Sequence, residues 1–206
     1  MVRPDKNKFT NDSNAVLSST KRNTKRGIRV ASWNCRGGFT KKESEIGKFI
    51  INNNVDVLFV LETDEVLTNK NFRAYANCKV HLPLIPQANS LTIKSHIVML
   101  ENEKANCELK IRSYLMTAGL PSIWAEIGSR ANKFLVGAFY REWQDHHKDG
   151  SREGQRLRLK TFMEQVQNAT TEKKKLLLLG DYNLDPTRND DSYSEKALAR
   201  KLIGDM

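Results

Sequence analysis

The sequence predicts a layered α/β fold: two β-sheets face to face with helices outside them, an α/β/β/α sandwich. Three observations predict it. Several apolar runs are near-continuous, as in strands covered on both faces. Segments between them repeat apolar residues at helical spacing. The middle of the chain carries short strand-like runs with no long helix between them, the mark of an antiparallel or mixed sheet. With 206 residues and 39% hydrophobic content, the chain can build one sizeable core and is too short for two ordinary domains.

Residues 1–27 read as a flexible basic arm. Up to Arg29, eight Lys or Arg side chains stand against Asp5 and Asp12, a net of +6 out of the whole chain's +10. Asn11-Asp12-Ser13-Asn14 and Ser18-Ser19-Thr20 offer too little apolar surface to offset the entropy of ordering. Such an arm suits nucleic-acid phosphates, and Lys21-Arg22-Asn23-Thr24-Lys25-Arg26 equally suits nuclear import. The folded domain is expected over residues 28–206.

Within that domain Ile28–Ser32 reads as a strand closing on Trp33-Asn34-Cys35-Arg36-Gly37-Gly38. A helix follows over Lys41–Asn54, with Ile46, Phe49 and Ile50 on one face and Thr40 available as N-cap. Val55–Leu61 is a strand that closes on Glu62-Thr63-Asp64. His96–Leu100, Glu108–Leu115 and Ile123–Ile127 read as short strands. Phe134–Phe139 is another, handing over to Tyr140-Arg141-Glu142-Trp143. Leu159, Phe162, Met163 and Val166 stripe a second helix over Arg152–Ala169. Leu176–Leu179 then runs into Gly180-Asp181-Tyr182-Asn183, and Ser194–Ile203 forms a marginal third helix.

Four of these strands deliver a polar group at their carboxyl ends, where ligands gather in layered α/β folds. Asn34, Glu62, Tyr140, Asp181 and Asn183 are therefore expected to line one cleft. Singly, each has an ordinary reading, since Gly, Asp and Asn populate any tight turn and a buried Tyr needs only a satisfied hydroxyl. The recurrence points to a site. Carboxylates beside neutral oxygen donors suit a hard cation such as Mg²⁺.

The order Trp33-Asn34-Cys35-Arg36-Gly37, Leu61-Glu62-Thr63, a strand ending on Tyr140, and Leu179-Gly180-Asp181-Tyr182-Asn183 resembles the endonuclease/exonuclease/phosphatase superfamily. Within it, the sequence is most similar to the apurinic-type endonuclease domains of non-LTR retrotransposons. The likeness spans roughly Ile28 to Pro186 and takes in Ser122–Ile127 and Arg156–Leu159. It implies a DNA-nicking hydrolase in which Glu62, with Asn34, holds Mg²⁺ or Mn²⁺. Asp181 would orient or deprotonate the attacking water, or assist the leaving group. Asn183 would hold a phosphate oxygen, Tyr140 would donate to the scissile phosphate, and Arg36 and Arg141 would contact the nucleic acid. Two other readings stay open: a nucleic-acid- or protein-binding module that does not cut, and a phosphatase acting on a small phosphoester.

The chain departs from that pattern after the Gly-Asp-x-Asn turn. The superfamily carries a further carboxylate and a closing Ser-Asp-His-type motif, whereas this sequence reaches Gly204-Asp205-Met206 without them. The expectation is a C-terminally truncated domain lacking its last strands, completed by a further segment or a partner chain. His146-His147, in the charged stretch Asp145–Gly150, reads as solvated loop histidines and not as a replacement. Cys35, Cys78 and Cys107 show neither a disulfide framework nor zinc-ligand spacing, which favours a reducing, intracellular setting, and the import-type stretch of the basic arm makes a nuclear one the expectation. No window approaches the ~18 apolar residues needed to span a bilayer, so no membrane partner is expected.

Overall fold

A computed structural model describes residues 27–66, 77–84, 94–105, 107–129, 132–141 and 152–183. The arm up to residue 26, His146-His147 and the expected helix Ser194–Ile203 lie outside these residues. The elements run β1 (Val30–Asn34), a 3-10 turn (Thr40–Lys42), α1 (Glu43–Asn53), β2 (Val57–Val66), β3 (Cys78–His81), β4 (Lys94–Asn102) and β5 (Glu108–Ile111). A second 3-10 turn (Ser113–Leu115), β6 (Ser122–Ser129), β7 (Asn132–Tyr140), α2 (Arg152–Thr170) and β8 (Lys175–Asp181) follow.

Among the described residues two four-stranded sheets form, one in the order β1-β2-β4-β3 and the other β5-β6-β7-β8. Their plans match. In each, three strands pair antiparallel and one edge strand runs parallel to its neighbour, β1 with β2 and β8 with β7. A parallel pair requires a crossover, and α1 and α2 supply it.

The strand alternation then builds the layers. Ala31, Trp33, Leu58, Val60, Val98 and Leu100 pack with Ile46 and Ile50 of α1, forming one core. Their alternates Val57, Phe59, Leu61, Ile97 and Met99 join the second core, between the sheets. On the far side Trp124 and Phe139 stack on Phe162 of α2, with ring centroids 5.9 and 4.5 Å apart. Trp124 Nε1 and Ser122 Oγ both donate to the buried Gln165 Oε1 of α2, at 2.8 and 3.0 Å. The order is therefore α1, first sheet, second sheet, α2, which is the α/β/β/α sandwich.

Four local expectations change. Strands β1 and β2 run on through Asn34 and Glu62, which the sequence placed in closing turns. The expected strand Glu108–Leu115 stops at Ile111 and continues as a 3-10 turn, with Leu115 tucked into the core. Thr40 does not cap α1. The chain enters through Arg36, Gly37 and Gly38, all at positive φ, and Thr40 opens a 3-10 turn instead. The fourth change is β3, an unexpected strand too short to show periodicity.

Candidate active site

Pleat parity decides which strand-end side chains meet. Asn34 pairs with Leu61, Tyr140 with Asp181, and Ala138 with Leu179. Since Leu61, Ala138 and Leu179 belong to the inter-sheet core, Asn34, Tyr140 and Asp181 point between the sheets at one end of the sandwich. Tyr182 faces the other way and packs on Phe139 and Phe162. Burial there pushes its phenol well above the usual range.

Parity would send Glu62 away from this group, toward α1 with Leu58 and Val60. It does not go there. The β2–β4 register breaks between Leu61 and Glu65, and Glu62 sits at φ 53°, in the left-handed region. A bulge of this kind re-aims a side chain. As a result Asn34 Nδ2 donates to Glu62 Oε1 at 2.6 Å and to Asp181 Oδ2 at 3.3 Å.

The amide is oriented from behind. Arg36 N–H donates to Asn34 Oδ1 at 3.0 Å, leaving both N–H bonds of Nδ2 for the carboxylates. The Glu62 carbonyl accepts from Gly37 N–H at 2.6 Å and Cys35 Sγ at 3.2 Å, and Lys42 Nζ donates to the Cys35 carbonyl. On the other sheet Asp181 Oδ1 accepts from Asn183 N–H at 3.0 Å, Asn183 Nδ2 donates to the Arg141 carbonyl, and Arg141 N–H donates to the Asp181 carbonyl at 2.9 Å. One network thus ties Glu62, Asn34, Asp181 and Asn183 together across the two sheets.

No family model and no curated protein matches the chain. Solved structures do. The endonuclease domain of TRAS1, a telomere-specific non-LTR retrotransposon, superposes with a TM-score of 0.57 at 14% identity, over 86% of this chain and 70% of that one. A conserved protein of unknown function from Enterococcus faecalis V583 gives 0.52 at 14%, over 84% and 72%. The fold is of the endonuclease/exonuclease/phosphatase type.

In this endonuclease/exonuclease/phosphatase-type fold the remaining expected residues take distinct places. Tyr140 is buried at 8% exposure, its ring centroid 6.0 Å from that of His96 on β4. Arg141 is buried beside it, and Arg36 lies at the exposed turn after β1. Sequence reasoning missed His96, and it missed Thr63. The fully buried Thr63 hydroxyl donates to the Ser95 carbonyl across the bulge, next to Glu62. A Thr directly after a strand-end carboxylate was its one sequence signal.

The donor set bears on a metal. Among the described residues no group of three or more His, Cys, Asp or Glu gathers. Two carboxylates converge instead, both hard oxygen ligands, as suits Mg²⁺, which needs only one or two protein carboxylates beside water and substrate phosphate. Asn34 presents nitrogen to this point, so here it serves as donor to the two carboxylates. Among the described residues no helix is long and apolar enough to cross a membrane.

Proposed function

We propose that the chain is a phosphodiester hydrolase, a DNA-nicking endonuclease domain of retroelement type. The carrying observation is the Asn34 amide bridging Glu62 of one sheet and Asp181 of the other. Glu62 would hold Mg²⁺ or Mn²⁺, which when bound neutralises phosphoryl charge and polarises the scissile bond. Asp181 has the role of orienting the attacking water and accepting its proton. Asn34 holds the two carboxylates in register, so that neither has to be repositioned when substrate arrives. Asn183, fixed by Asp181 and the Arg141 carbonyl, braces the same corner. Tyr140 stands at the strand end beside Asp181 and supplies a hydroxyl toward the phosphate. Arg36, at the exposed turn after β1, is suited to a backbone phosphate, as is the basic arm.

Conversion of supercoiled plasmid to open circle tests this reading. Nicking is expected with Mg²⁺, none with EDTA, and a loss of about 100-fold or more in Glu62→Gln and in Asp181→Asn. Binding to DNA that survives while no nick ever forms would replace the hydrolase with a non-cutting module.

A further inference from the structure

Among the described residues the sandwich has four edge strands, and they are not alike: β1 is five residues long and ends on Asn34 of the site. β3 and β5 are four residues each and carry Lys79 and His81, or Glu108 and Lys110. Short charged edges resist pairing with other chains. β8 is seven residues long, Lys175-Leu176-Leu177-Leu178-Leu179-Gly180-Asp181, with no charge between its ends, no proline and no register break. Its composition is that of a central strand, yet among the described residues it pairs with β7 alone. None of its four leucines is fully buried and Leu177 is 38% exposed, while Leu135, Val136, Ala138 and Phe139 of the adjacent β7 are all at 0%. Among the described residues nothing pairs with its outer edge.

We propose that this edge pairs antiparallel with β8 of a second copy of the chain, about a two-fold axis through Leu178. The sequence of β8 is self-complementary in that arrangement. Leu178 meets Leu178, Leu177 meets Leu179, and Lys175 meets Asp181 at both ends. Parallel pairing would instead stack lysine on lysine and aspartate on aspartate. Opposed residues on one face of an antiparallel pair bring their Cβ atoms to roughly 5 Å. Lys175 and Asp181 share a parity, so Lys175 of the second copy comes to lie beside the Asp181 carboxylate between the sheets. The second copy thereby adds a cation to a site that gathers two carboxylates, and the contact is isologous, as a closed dimer requires. The assembly stands whether or not the site cleaves phosphodiesters.

Light scattering or sedimentation of the full chain over a range of concentrations tests this. The expected result is a concentration-dependent species of twice the 23.6 kDa chain mass. Leu177→Lys, which places a charge on an exposed edge position, and Lys175→Asp, which opposes like charges, should each abolish that species. Lys175→Arg should keep it. Circular dichroism and melting temperature confirm that each variant is folded. A chain that stays monomeric throughout, a dimer indifferent to both disrupting variants, or a monomer whose β8 amides exchange slowly because something else covers them would each overturn the proposal.

Discussion

Glu126 shows how far one side chain's environment can shift its chemistry. It is 7% exposed on β6, at the end of the second sheet remote from the site, and it accepts hydrogen bonds from Lys174 and Arg112. Those two cations hold its carboxyl down, from an ordinary 4.5 to about 2. A carboxyl depressed in the folded state contributes stability that is complete above its unfolded pKa and is lost as pH falls through the folded one. The melting temperature should therefore drop between about pH 4.5 and about pH 2, and Glu126→Gln should flatten that stretch of the profile while lowering stability at neutral pH. In the variant Lys174 and Arg112 keep Glu172, at 3.0 and 3.8 Å, but lose the buried carboxylate that balances their paired charge, so a stability unchanged at pH 7 would contradict the assignment. At this scale the sequence was legible for Asn34, Asp181 and Asn183, because strand-end polar residues in a Gly-rich turn are visible as such. The direction of Glu62 was not legible. Alternation alone sends its carboxylate toward α1, and only the bulge turns it back.

Elements carry the site through two local devices. The first is the bulge in β2, pinned by the buried Thr63 hydroxyl on the Ser95 carbonyl while the Ser95 hydroxyl donates to the Ile97 carbonyl at 2.7 Å. Thr63→Val keeps the shape and deletes the donor, so it should destabilise by about 1–3 kcal/mol and reduce nicking, with Thr63→Ser restoring both. Chemical denaturation beside the plasmid assay reads the two effects. The second is Gly180, at φ 138°, where an added Cβ would lie 2.0 Å from the Phe139 carbonyl oxygen. Gly180→Ala should cost about 1–3 kcal/mol or more and shift Asp181 out of register with Tyr140, an outcome that thermal melting and the nicking assay both report. The helices and the long strands were legible from periodicity and apolar runs. β3 was not, being four residues long, nor was the break after Ile111, which tertiary packing of Leu115 imposes.

At the scale of the molecule, the layered architecture was legible because strands covered on both faces and helices striped on one leave different sequence patterns. Which edges would lie together was not, since that depends on two parallel crossovers bringing β1 and β8 to the same side. That placement divides the site across a seam: Glu62 and Asn34 travel with one sheet, Asp181 and Asn183 with the other. Among the described residues the gap between them is set chiefly by the interdigitated side chains of the middle layer, Phe59 and Met99 among them, and the Asn34 amide crosses it to Asp181. Slippage along this seam of even an ångström would part the 3.3 Å contact between Asn34 and Asp181 while every strand kept its ladder. Nicking should consequently fade in urea well below the midpoint at which far-ultraviolet dichroism collapses, so that the reaction gauges the packing between the layers.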